Sequence, residues 1–139
     1  MIRYATTADI EALTELGRRE HALSQWGWMP FDEASFRDTA LAFMKTVGRT
    51  VLFSGGGYLA GMVQPAGFSR RMMAIEYAWY AADGHGLELL SRFERWARNM
   101  GASCLVAHNY TNDARLARVM NLRHGYTMLG QAMSKNLEA

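Results

Sequence analysis

The run from Met72 to Gly101 constrains the fold of this chain more than any other stretch, because it reads as a strand, a tight turn and a long helix. Aromatic and β-branched residues at its start (Ile75, Tyr77, Trp79 and Tyr80) are typical of a half-buried strand. Further on, apolar residues recur at helical spacing, and Gly101 is a typical helix stop. The helical stripe consists of Leu89, Leu90, Phe93, Trp96, Ala97 and Met100.

The turn between this strand and this helix contains two glycines in the sequence Asp83-Gly84-His85-Gly86. Glycines at a helix start let backbone N–H groups approach a ligand closely, and the helix dipole there favours an anion. A Gly-x-Gly turn is also common as a simple connection between two elements. The turn by itself therefore indicates either an anion site or an ordinary connection.

The segments on either side complete a mixed order of strands and helices. Upstream, the pattern predicts a strand at 1–5, helices at about 6–23 and 33–46, and a hairpin with strands at 50–54 and 58–64. Downstream, it predicts a strand from Ala102 to Asn109, a helix from Asn112-Asp113 to His124, and a closing strand from Tyr126 to Leu137. The predicted order is β-α-α-β-β-β-α-β-α-β in a single α/β domain, residues 1–139, with a mixed sheet.

Composition narrows the class of protein. Half of the 139 residues are hydrophobic, a fifth are charged, and the net charge is only +2 without a Lys/Arg run, which argues against nucleic-acid binding. No apolar stretch has membrane length, so we expect a cytoplasmic protein. The single Cys104 lies in an apolar run and is expected to be buried, and the four histidines show no metal-ligand spacing.

The segment from Ser24 to Phe31 interrupts the helical pattern with Gly27 and Pro30 and carries two tryptophans, Trp26 and Trp28. Such a segment is either a loop anchored to the core by its aromatic side chains or the wall of a substrate pocket. The sequence supports both interpretations equally.

Three groups of residues in this order resemble the GNAT (Gcn5-related) N-acetyltransferase superfamily. They are Ile2-Arg3-Tyr4-Ala5-Thr6-x-x-Asp9-Ile10-x-Ala12-Leu13 at the start, Glu76-x-x-Trp79-Tyr80 with Gly84-x-Gly86-x-x-Leu89-Leu90 and Glu94-x-Trp96-Ala97-x-x-x-Gly101 in the centre, and His124-Gly125-Tyr126 with Lys135-x-Leu137 at the end. The central group is similar to stand-alone members found in bacteriophage and prophage genomes. The resemblance spans nearly the whole chain.

The resemblance implies a fold with splayed central strands that binds acetyl-CoA as a co-substrate. The cofactor pyrophosphate would lie on the backbone amides of Asp83, Gly84, His85, Gly86 and Leu87. Its pantetheine arm would pair with the backbone of Tyr80, Ala81 and Ala82, near Asn112. The implied reaction is transfer of acetyl to a primary amine of a small molecule or peptide by direct attack, and a homodimer is a further expectation.

Departures from the family pattern bear on catalysis. Ala81 stands where the family usually has Arg or Gln, and Asn121 stands where many members have a tyrosine that protonates the leaving thiolate. Asparagine can hydrogen-bond a thiolate but cannot supply a proton, so Tyr110 or Tyr126 would have to replace it. Glu76 is the candidate base, acting through water, or else a structural carboxylate paired with an arginine.

These departures leave a second function open. A non-catalytic acyl-CoA binder, or a degenerate relative that acts as an interaction module, would need neither an arginine near the pyrophosphate nor an acid near the sulfur. Binding of CoA without turnover distinguishes this alternative from the acetyltransferase.

Overall fold

The computed structural model of the protein describes residues 1–108 and 114–138. The contacts divide the chain into two compact units, Met1–His108 and Asn109–Ala139. The first unit carries a five-stranded sheet and three of the four α-helices found in the described residues. The single-domain organisation expected from the sequence stays a prediction.

The elements of the first unit follow the predicted order. A short β1 (Arg3–Tyr4) leads through a 3-10 turn at Thr7–Asp9 into the first helix. The remaining elements are α1 (Ile10–Leu23), α2 (Glu33–Lys45), β2 (Arg49–Phe53), β3 (Gly57–Pro65), β4 (Met72–Ala81), α3 (Gly86–Asn99) and β5 (Ala102–Val106). The predicted α/β class with a mixed sheet is confirmed.

The sheet has the strand order β1-β2-β3-β4-β5, antiparallel except for the parallel pair β4-β5. The register between β3 and β4 shifts by one residue. Ala60 faces Ala78, whereas the next residue of β3, Gly61, faces Glu76. Tyr77 is therefore an extra residue in β4. A bulge of this kind bends a strand and redirects its side chains, and bulges are frequent next to active sites.

Helices cover the sheet, and one close approach requires glycine. The cluster that includes Leu13, Phe43 and Tyr58 joins α1 and α2 to β2 and β3. The helix α3 packs against β3, with Phe93 fully buried. A Cβ on Gly61 would lie only 2.2 Å from Phe93 Cζ, so a glycine here lets the ring settle on the strand.

The second unit contains α4 (Ala114–His124), which ends at Gly125 with a positive φ of 73°. The predicted closing strand from Tyr126 to Leu137 is wrong, because residues 125–138 form no strand and several of their apolar side chains are exposed. Strands are held by hydrogen bonds to a neighbour, which the pattern of one segment cannot supply. None of the helices in the two described ranges has both the length and the apolar character to cross a bilayer.

The expectation that Cys104 is buried is also wrong. Cys104 is exposed in β5, which forms one edge of the described sheet. The apolar run around it indicated a strand covered on both faces, whereas an edge strand leaves part of its surface to solvent.

Candidate active site

The central strands separate part-way along their length. The β4–β5 ladder begins at Met72 and Ala102 and ends at Ile75 and Val106. Beyond this point β4 continues to Ala81, and among the described residues only β3 pairs with it there. The ladder therefore stops just before Glu76 and the bulge, and leaves one edge of β4 open.

The hydrogen bonds of β4 show which backbone groups face this open edge. Ala82 N donates to Gly56 O at 2.9 Å, so Ala82 and Tyr80 direct their polar groups towards β3. Backbone groups alternate in direction along a strand, so those of Trp79 and Ala81 point to the open edge. Within the predicted pantetheine-binding stretch Tyr80–Ala82, Ala81 is the residue whose backbone N–H and C=O groups point to the open edge.

The turn after β4 leads directly into the first residues of α3. Gly84 has φ of 81°, a conformation that favours glycine, and α3 starts at Gly86 without a side-chain cap. The first amides of a helix have no partner within the helix, so those of Gly86 and Leu87 are suited to an anion. Trp79 Nε1 donates to Gly86 O at 2.9 Å and fixes the helix start to the strand.

Asp83 already provides a negative charge at this turn. Its carboxylate accepts hydrogen bonds from Ser54 Oγ at 2.6 Å, Gly56 N at 3.1 Å and His85 N at 3.1 Å. Partial burial raises the pKa of Asp83, but the hydrogen bonds from Ser54, His85 and Gly56 outweigh it and leave the pKa below its ordinary value. The amide of His85, one of the five predicted cradle positions, is thus bonded within the chain.

Glu76 lies at the point where β4 and β5 separate, and it binds a histidine rather than an arginine. Glu76 is 3% exposed, and its Oε2 accepts a hydrogen bond from His108 N at 3.0 Å. The same oxygen is 2.9 Å from His108 Nδ1. The hydrogen bond to Glu76 raises the pKa of His108 above its ordinary value, against the opposing effect of burial. Sequence reasoning missed His108, which showed only as a histidine at the end of an apolar run.

A second carboxylate is paired with a tyrosine nearby. The Tyr58 hydroxyl donates to Glu20, at the end of α1. Burial raises the pKa of Tyr58 well above its ordinary value, and the charges of Glu20 and Glu76 raise it further. Burial also raises the pKa of Glu20. Both carboxylates are therefore close enough to the Tyr58 hydroxyl to interact with it.

A cavity of about 440 Å³ opens between α1, α2 and the sheet. Its lining is mostly apolar and includes Trp26 from the loop after α1, together with Tyr58 of β3 and the bulge residue Tyr77. The loop is also tied back, since Met29 O lies 2.6 Å from His21 Nε2. The segment is thus anchored and forms part of a pocket wall.

Two further predicted site residues, Tyr110 and Asn112, lie outside the described residues. Asn121 is exposed in the second unit, where its Nδ2 donates to Tyr126 O at 2.8 Å and so closes the end of α4. Within residues 1–108 and 114–138, no three His, Cys, Asp or Glu side chains are grouped so that they could hold a metal ion.

No protein-family profile and no curated protein matches the sequence. Solved structures do match over almost the whole chain. An acetyltransferase of Trypanosoma brucei aligns with TM-score 0.70 and 16% identity, covering 99% of both chains. An aminoglycoside acetyltransferase from an uncultured soil metagenomic sample aligns with TM-score 0.69 and 14% identity, covering 99% of this chain and 95% of the other. The chain shares the fold of these acetyltransferases. A transcriptional regulator from Bacillus halodurans also shares it, with TM-score 0.74 and 14% identity over 99% of both chains.

Proposed function

We propose that this protein is an N-acetyltransferase that moves acetyl from acetyl-CoA to a primary amine. The observation that carries the proposal is the open edge of β4 beside the uncapped start of α3, where the β4–β5 ladder ends at Ile75 and Val106. The aminoglycoside acetyltransferase with the same fold supports transfer to an amine. Membership of the phage-type subgroup, cytoplasmic localisation and homodimer formation stay predictions from the sequence.

The open edge suits an extended amide-containing chain such as pantetheine. Backbone groups of Trp79 and Ala81 would pair with its amides in the manner of an added strand. The amides of Gly86 and Leu87 would receive the diphosphate at the positive end of α3. Acetyl-CoA supplies the activated acyl group, and the chain's own part is to fix its position relative to the amine.

The Glu76–His108 pair is the proposed proton acceptor. A primary amine is protonated at neutral pH and must lose a proton before it attacks. Glu76 is buried and bonded to His108, whose side chain remains 31% exposed, so His108 is the member that solvent or substrate can reach. Glu76 orients the imidazole and stabilises its protonated form, as paired carboxylates do for histidine.

The test is release of free CoA from acetyl-CoA in the presence of a panel of small amines. We expect Glu76→Gln to lower kcat/KM by about 100-fold, within the range of general-base catalysis. The matched control is Glu15→Gln, an exposed carboxylate of α1 that pairs with Arg19, and it should retain activity. If no amine of the panel releases CoA above background, the proposed acetyltransferase function is contradicted. If Glu76→Gln and Glu15→Gln are equally active, the role of Glu76 in the proposed proton acceptor is contradicted.

A second candidate function is a non-catalytic acyl-CoA binder. The Asp83 carboxylate beside the helix start and Ala81 on the strand both weaken the case for tight diphosphate binding. Calorimetry with CoA separates the two functions. Binding without turnover for any amine favours the binder, whereas turnover excludes it.

A further inference from the structure

The cavity between α1, α2 and the sheet has a strongly aromatic lining. Six aromatic side chains contribute to it: Trp26, Phe31, Phe36, Phe43, Tyr58 and Tyr77. Its volume of about 440 Å³ lies towards the lower end of the range of ~300–1,000 Å³ for small-ligand pockets. The space therefore suits a compact ligand with an apolar body.

Ring contacts hold this aromatic wall in place. Phe31 and Phe36 lie 5.6 Å apart between centroids, and Phe36 meets Tyr58 edge-on at 6.3 Å. On the other side, Phe43 contacts Tyr77 at 4.9 Å. Aromatic pairs at these separations are stabilised beyond their burial, so the wall presents preformed ring faces to a ligand.

One end of the cavity is acidic. Tyr58 lines the cavity, and its hydroxyl is bonded to Glu20, with the charge of Glu76 also acting on it. Among the described lining residues the carboxylate is that of Asp32, and it caps α2 by accepting from Ser35 N at 2.9 Å. Glu20 does not line the cavity itself and adjoins it through the Tyr58 hydroxyl, while the remaining lining is mostly apolar apart from His21, Ser35 and Thr39.

We propose that this cavity is the acceptor site and that the acceptor is a compact monoamine with an aromatic side chain, whose ammonium group binds at Tyr58 and Glu20. The assignment rests on the proposed acetyltransferase function and names its substrate class. Ring faces attract both an aromatic body and a cation, and of the two neighbouring carboxylates Asp32 already caps a helix, which leaves Glu20 with Tyr58 for a single ammonium. A polyamine or aminoglycoside would place several charges against an apolar wall, where unpaired charge is strongly disfavoured.

The test measures amine binding directly, by calorimetry in the presence and absence of CoA. We expect 2-phenylethylamine to bind about tenfold or more tightly than ethylamine, because burial of the ring removes apolar surface from water. Spermidine should bind more weakly than 2-phenylethylamine. Equal or tighter binding of spermidine or ethylamine would overturn the assignment.

Two pairs of variants locate the ligand. Ala40→Leu fills the cavity and should weaken 2-phenylethylamine about tenfold, whereas Ala42→Leu adds the same side chain at an exposed position of α2 and should not. Glu20→Gln should weaken 2-phenylethylamine about tenfold and leave 2-phenylethanol unchanged, whereas Glu15→Gln should alter neither. Equal binding within either pair would refute the assignment.

The outcomes also separate this assignment from the proposed function. Selective binding of the aromatic amine, lost in Ala40→Leu, without any binding of acetyl-CoA would support the cavity and contradict the acetyltransferase. Acetyl transfer to other amines with no preference for 2-phenylethylamine would support the acetyltransferase and overturn the substrate class.

Discussion

Replacement of Asp83 by asparagine should tighten the binding of CoA. The carboxylate of Asp83 is bonded to His85 N, immediately before the helix amides that we propose for the diphosphate. Its pKa is below the ordinary value, so the carboxylate is charged throughout the neutral range and repels a bound phosphate. Asparagine has the same size, keeps one oxygen to accept from His85 N and can donate its Nδ2 to Ser54 Oγ, so that only the hydrogen bond from Gly56 N is lost and the turn should persist.

The size of the effect follows from Coulomb's law. Two unit charges about 7 Å apart in water repel by roughly 0.6 kcal/mol, so a diphosphate with two charges loses about 1 kcal/mol, or about fivefold in Kd. Because this site is exposed, salt screens the repulsion. The Debye length falls from about 30 Å at 0.01 M to about 3 Å at 1 M ionic strength, which should reduce the gain to almost nothing.

Calorimetry with CoA at these two ionic strengths measures the effect. The matched control is Asp38→Asn, which removes an exposed carboxylate of α2 and changes the net charge equally. We expect it to leave the low-salt Kd within about twofold of the wild type. A low-salt Kd for Asp83→Asn that equals or exceeds that of the wild type would show that no diphosphate lies next to this turn.

Three further predictions concern stability and titration. Gly61→Ala places a Cβ 2.2 Å from Phe93 Cζ and should lower the free energy of unfolding by about 1–3 kcal/mol in urea denaturation. Glu76→Gln should lower the pKa of His108 towards its ordinary value, as followed by NMR titration. In the wild type the Glu76–His108 pair stabilises the fold fully below pH about 6.5, and this stabilisation decreases as pH rises through the raised pKa of His108. Asp9→Ala should cost about 1–2 kcal/mol at neutral pH, and because the pKa of Asp9 is lowered, the difference from wild type should vanish as pH falls below about 4 and through that pKa.

Two of these predictions have a matched control variant. Gly130→Ala meets no atom within 4 Å and should leave stability unchanged. Glu15→Gln should leave the titration of His108 unaffected. Wild-type stability for Gly61→Ala, an unshifted His108 titration in Glu76→Gln, or an Asp9→Ala deficit that does not shrink between pH 4 and pH 2 would contradict the corresponding contact.

Much of the fold followed from local patterns in the sequence. The run from Met72 to Gly101 was predicted as strand, turn and helix, and the structure places β4 and α3 there. The prediction of the closing strand from Tyr126 to Leu137 failed because a strand depends on a partner elsewhere in the chain. Gly130 interrupts that segment and apolar side chains do not alternate strictly, so the pattern was weak evidence.

The candidate site was harder to predict than the fold. Glu76 was singled out, but its partner His108 is 32 positions away and no local pattern connects them. The Glu20–Tyr58 pair joins residues 38 positions apart and was missed for the same reason. Asp83 was predicted as a backbone contact only, since a sequence does not show that a side chain turns back towards its own amides.

The one-sided pairing of β4 beyond its bulge divides the amide protons of a single strand into two populations. Those of Tyr80 and Ala82 are engaged with β3, whereas those of Trp79 and Ala81 point away from β3, where no second strand of the described ranges pairs with them. Hydrogen–deuterium exchange should therefore alternate between slow and fast from one residue to the next. A ligand laid along that edge would slow alternate positions only, and this pattern would report its presence even for a protein that performs no chemistry.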